Sequence, residues 1–139
     1  MRFHFPFNWY NKFGTIPSEF REAMSYEEQI LWLCQAHEDL QKQFDEFKSS
    51  VAKCLDKAND NTLSADDINN LSTDWENKRK YLHVFIPHTE IKEIGLWLSE
   101  ATAFAEFGNM EETADKLQVI YDLSKQIPDN FRIKIENIM

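Results

Sequence analysis

The residues that could carry chemistry are four histidines, two cysteines and 24 carboxylates in a chain of 139 residues. His83, His88 and Glu90 flank Pro87 and come nearest to a metal-ligand set. A zinc site needs a second ligand pair at short spacing, and none is present, because Cys34 and Cys54 lie far upstream. Those two cysteines fall on what reads as one helix, where a rise of ~1.5 Å per residue holds them roughly 30 Å apart. They cannot pair within one chain, and reduced cysteines serving as small apolar residues are expected. For nucleophilic catalysis there is no Gly-x-Ser-x-Gly, no glycine-rich phosphate loop and no cysteine with an orienting partner close in sequence. A carboxylate pair chosen from so many would carry no information. The expectation is a protein that is not an enzyme and takes no metal or cofactor.

The remaining chemistry is charge. Lys and Arg number 15, so the net charge is -9. Phosphate binding needs clustered cations, which disfavours nucleic acid and membrane as direct partners. A protein with a basic surface fits this charge. The longest apolar run, Ile30 to Cys34, falls far short of the ~20 residues of a membrane span, and nothing resembles a signal peptide. A cytoplasmic monomer in a host bacterial cytosol is expected.

Helices must position these groups. Hydrophobic residues make up 42% of the chain and aromatic residues 14%, enough for the core of one domain. Ser25 followed by Glu28 reads as a capping box. After it, Tyr26, Ile30, Leu33, His37, Leu40, Phe44, Phe47, Val51, Cys54 and Ala58 recur in alternating steps of four and three. That is a heptad seam over residues 26–58, roughly 50 Å long at ~1.5 Å per residue, with His37 in a core position. Ser64 and Asp67 start a second helix, about 65–86, that carries Trp75 and Phe85 and stops at Pro87. A third spans about 88–107, buries Ile91, Ile94 and Leu98, and ends at Gly108 and Asn109. A fourth, about 110–127, is capped by Asn109 and Glu112 and stops at Pro128. Beyond it, Phe131, Ile133 and Ile135 alternate like a strand, whereas Phe131, Ile135 and Ile138 fit a short helix. The helix is favoured after so many helical hairpins.

Residues 1–24 form a leader apart from the 25–139 bundle. Phe3, Phe5 and Phe7 alternate across Pro6, Trp9, Tyr10 and Phe13 follow, and Pro17 can open a short helix. These rings either pack back on the helices or dock on a partner, with Phe5, Phe7 and Trp9 as the anchors. On the third helix, Glu90, Glu93, Trp97, Glu100 and Phe104 recur at steps of three and four. Their stripe of carboxylates and rings lies away from the Ile91, Ile94 and Leu98 face. It is either a surface for a basic partner or a second buried face, covered by the leader or the long first helix.

Two stretches resemble known families. From about Thr73, the succession Trp75, Ile86-Pro87-His88-Thr89-Glu90-Ile91, Leu117, Ile127-Pro128 and Ile135-Glu136-Asn137-Ile138 resembles an uncharacterised family of short proteins from Gram-positive bacteria. Its members carry a membrane anchor before a small helical domain of unknown function. Residues 5 to about 44, with Phe5-Pro6-Phe7-Asn8-Trp9-Tyr10 and Ile16 through Leu33, resemble the opening of phage and prophage tail or fibre proteins. That resemblance implies a phage setting, and the two together imply a mosaic or artificial chain. The fold expected is all-α, a compact bundle of four to five helices with one long heptad helix and an aromatic N-terminal extension. The function expected is non-enzymatic protein binding. Its most specific form is an acidic anti-defence inhibitor, resembling an anti-CRISPR protein, that blocks a basic groove of a host effector; a virion or tail-fibre adaptor and an orphan helical interaction domain of unknown role are the alternatives.

Overall fold

The computed structural model describes residues 25–138, which form four helices and no strand. They are α1 (Tyr26–Asn59), α2 (Ala65–Leu82), α3 (His88–Glu106) and α4 (Met110–Ile138). The chain is all-α.

Local chemistry sets most of the ends. The Ser25 hydroxyl accepts from the Glu28 N–H at 3.2 Å and opens α1. Asn61, at φ 57°, closes it, with the Thr62 N–H reaching back to the Lys57 carbonyl at 2.8 Å. Ser64 and Asp67 cap α2 reciprocally, each side chain taking the other's backbone N–H. Gly108, at φ 75°, ends α3 with the Asn109 N–H on the Phe104 carbonyl. A β-carbon is disfavoured at that φ. Asn109 then accepts the Glu112 N–H at 3.2 Å and starts α4.

The α1–α2 corner is sensitive to acid. The Ser64 N–H, the Lys57 ammonium and the Ser64 hydroxyl hold the Asp67 carboxyl down to about 2. The same group titrates near ~3.9 in an unfolded chain, so its contribution is full above that pH and is lost as pH falls toward about 2. Thermal unfolding followed by circular dichroism should show a falling midpoint across that window, and Asp67→Asn should flatten part of the dependence. Ser64→Ala should cost ~1 kcal/mol at neutral pH through the lost cap.

Each helix packs on its chain neighbours, and α4 closes the ring onto α1. Pairs between helices fix antiparallel registers: Lys78 with Glu46, Lys116 with Glu100, and His37 stacked on Phe131. The core holds Leu40, Phe44, Phe47, Trp75, Ile94, Leu117 and Ile120, with the Phe47 and Trp75 rings 4.9 Å apart.

Three boundaries and registers differ from the sequence pattern. First, α2 ends at Leu82 rather than near 86. The Val84 and Phe85 N–H groups bond three residues back, and Ile86, restricted by the following proline, closes a turn. That turn drives Ile86 into the core and sets Phe85 against Trp32 and Phe131. Second, α4 does not stop at Pro128 and no separate short helix follows, because one helix runs from Met110 to Ile138 with Pro128 inside it. Proline removes one helical hydrogen bond, yet Ile127 and Pro128 are buried and Phe131 stacks on His37, so packing holds the helix on both sides of the break. Third, the heptad seam holds only from Leu40 to Ala58. Before Leu40 the buried positions are Ala36 and Trp32, His37 is half-buried and Tyr26 is exposed. A straight helix repeats every ~3.6 residues, so its buried face drifts off a strict heptad.

Candidate functional site

The antiparallel registers gather four helix ends at one pole of the bundle. Asp56 and Asp60 come from the end of α1, Asp66 and Asp67 from the start of α2, Glu106 from the end of α3, and Glu111, Glu112 and Asp115 from the start of α4. Lys57 answers Asp67 at 3.0 Å. The carboxylates that open α2 and α4 complement the positive ends of those helices. Asp56, Asp60 and Glu106 do the reverse, since a helix C-terminus favours cations, and the last turn of α3 holds none. Their charge is not required by the helices that carry it.

The stripe on α3 is brought together, but around a cation. Lys116 of α4 sets its ammonium 5.1 Å from the Trp97 ring centre, 5.7 Å from that of Phe104 and 3.7 Å from a Glu100 oxygen. Trp97, Glu100 and Phe104 are therefore half-buried in the α3–α4 contact, so that among the described residues α4 rather than α1 covers this face, while the leader lies outside them. Glu93 stays exposed and Glu90 partly so, outside that contact. The secondary set, Phe5, Phe7 and Trp9, lies outside the described residues.

The opposite end of the α2–α3 face is cationic. Arg79, Lys80, His83 and His88 line a cavity of about 160 Å³ together with Ile91. His83 and His88 are thus grouped with cations, and among the described residues no three metal-ligating side chains gather. Arg79 and Ile91 also line a neighbouring cavity of about 350 Å³ with Trp75, Lys92, Gly95 and Leu96. Trp75 and Gly95 in turn line one of about 270 Å³ with Ser72, Leu98 and Thr102. The three form a furrow between α2 and α3. On its floor the Trp75 side chain is 1% exposed, and its indole Nε1 has no hydrogen-bond partner. An unmet buried donor costs about 1–3 kcal/mol, and a glycine inside a helix costs roughly 0.5–1 kcal/mol against alanine. Both occur here at one point, since a β-carbon on Gly95 would stand 3.7 Å from that nitrogen. Sequence reasoning missed this furrow; its one local signal was a glycine in the interior of an apolar helix.

Between α1 and α2, Cys54 is buried and its thiol donates to the Asp67 carbonyl at 3.8 Å. Burial, then the Asp67 carboxylate, pushes the thiol up, against the smaller pull of Lys57. A thiol held neutral is a poor nucleophile. In the native protein Cys54 should resist iodoacetamide at neutral pH and react fully only on denaturation, as peptide mass mapping would read.

A model of the family described as Domain of unknown function (DUF4363) matches residues 32–138. No curated protein and no solved structure matches the chain. The matched range begins well before Thr73. No likeness of residues 5–44 to phage tail proteins is shown. Among the described residues no helix is long and apolar enough to cross a membrane.

Proposed function

The chain belongs to the DUF4363 family of domains of unknown function, and on that footing we propose that it is a non-enzymatic module whose acidic pole binds a protein with a basic surface. One observation carries the reading: Asp56, Asp60 and Glu106 add charge to the pole at helix ends that disfavour it. Charge kept against local stability is expected where a partner supplies the compensating cations. A pole of this kind steers a basic partner into place and speeds encounter. The α3 stripe is the weaker surface, because Lys116 already answers its rings and Glu100.

In its most specific form the protein is a monomeric anti-defence inhibitor in the host cytoplasm. Its pole occupies the basic nucleic-acid channel of an effector such as a CRISPR nuclease, where a guide and target duplex would otherwise lie. The phage setting is part of this proposal. The experiment is plasmid interference in cells with an active CRISPR nuclease, comparing the wild type with Asp56→Asn/Asp60→Asn/Glu106→Gln. The wild type should protect the plasmid and the variant should not, although neutralising these groups should leave the fold intact. Failure of the wild type against a panel of nucleases ends the inhibitor form, and equal protection by the variant ends the role of the pole.

A further inference from the structure

We propose that the acidic pole selects arginine over lysine, because the Phe107 ring, held out at its edge, stacks on a guanidinium that the neighbouring carboxylates bind. The partner it fits is a protein that presents exposed arginines. The inference rests on the pole as the binding surface and names the side chain which that surface prefers.

Phe107 is the most exposed large hydrophobic side chain among the described residues, at 87%. A phenyl ring left in water adds nothing to the core. Among the described residues no ring packs on it and no cation lies over it. Its backbone is nonetheless tied down. The Phe107 N–H bonds the Ala103 carbonyl at 3.2 Å, the Gly108 N–H returns to Ala105 at 3.1 Å and the Asn109 N–H to Phe104 at 3.0 Å. Gly108, at φ 75°, makes this doubly bonded helix end possible. A ring mounted on such a backbone gives up little freedom when a partner covers it.

The surroundings of the ring are carboxylates. Glu106 precedes it, and Glu111 and Glu112 open α4 just after the turn at Gly108 and Asn109. Glu106 and Glu111 are exposed, and neither forms an ion pair among the described residues. A lysine ammonium is a compact, strongly hydrated charge that would gain from these carboxylates alone. An arginine guanidinium is planar and more weakly hydrated, so it can give its edge to a carboxylate and its face to a ring at once. Nearly one turn earlier the protein satisfies the same pairing by itself, since the Lys116 ammonium lies 5.7 Å from the Phe104 ring centre and 3.7 Å from a Glu100 oxygen. Phe107 and Glu106 repeat that ring and carboxylate without a cation of the protein's own.

The test is titration of two peptides of equal length, one alternating arginine with glycine and one alternating lysine with glycine, into the ¹⁵N-labelled full chain at low salt. Both should bind, the arginine peptide about two- to fivefold more tightly, the factor an exposed contact between cation and ring supplies. Its δ-methylene protons should move upfield under the ring. Phe107→Leu keeps apolar bulk without the ring, so it should leave the melting temperature unchanged and make the two peptides bind equally. Phe107→Trp should widen the preference. Both peptides should weaken with Asp56→Asn/Asp60→Asn/Glu106→Gln. Equal binding of the two peptides by the wild type, or an arginine preference that survives Phe107→Leu, would overturn this proposal and leave the pole standing. Binding of neither peptide, or undiminished binding of both by the neutralised variant, would end the pole reading and this inference with it.

Discussion

Replacing Phe44 by alanine is expected to destabilise the protein by ~3–5 kcal/mol, the largest effect among these predictions. The ring is fully buried among the side chains that join α1 to the rest of the bundle, next to Leu40 and Phe47 on the same face. Its removal leaves a cavity that neighbours in rigid helices can refill only in part. A single domain holds ~5–15 kcal/mol in total, so this one change takes a large share. Urea unfolding should show a lower midpoint at an unchanged slope. A loss under about 1 kcal/mol would mean that the seam faces solvent, contrary to the packing.

The second large effect belongs to a charge. Lys78 runs its stem between α2 and α1 with only 10% of its side chain exposed, and its ammonium bonds Glu46 at 3.0 Å and Gln43 at 3.2 Å, with Asp74 at 3.7 Å. Lys78→Ala should cost ~1.5–3 kcal/mol, the range for charge-assisted hydrogen bonds lost from a partly buried donor. Lys78→Met should cost less, because the stem still covers apolar surface. The Lys78 hydrogen bond, then its charge, holds the Glu46 carboxyl below its ordinary value, while burial opposes this weakly. The folded carboxyl is depressed, so the pair stabilises at neutral pH and fades as pH falls through the lowered value. Urea unfolding at neutral and acidic pH should show the cost of Lys78→Ala shrinking as acid is added.

What was legible in the sequence was local. Ser25, the Ser64 and Asp67 pair, and Gly108 with Asn109 act on backbone groups within a few residues, so their identities announce the helix ends. What was not legible depends on partners distant in sequence. Pro128 reads as a stop, and the helix passes through it because Ile127 and Phe131 are packed on either side. The stripe of Trp97, Glu100 and Phe104 has the spacing of a partner surface, and only the fold brings Lys116 onto it. Counted along the chain, carboxylates show no dense block, yet the antiparallel topology stacks four helix ends and builds a pole from scattered residues. The furrow is hidden for the same reason, since Trp75 reads as ordinary core until Gly95 is seen opposite its nitrogen.

The proposed role of the acidic pole is tested most directly by the rate at which the protein associates with a guide-free CRISPR nuclease, the class of partner proposed for it, measured from low to physiological salt. Association should slow steeply as salt rises, and the Asp56→Asn/Asp60→Asn/Glu106→Gln variant should associate more slowly with a shallower salt dependence, at equal or greater stability. Identical rates and salt slopes for the two proteins would contradict the account, because charge at that pole would then play no part in binding.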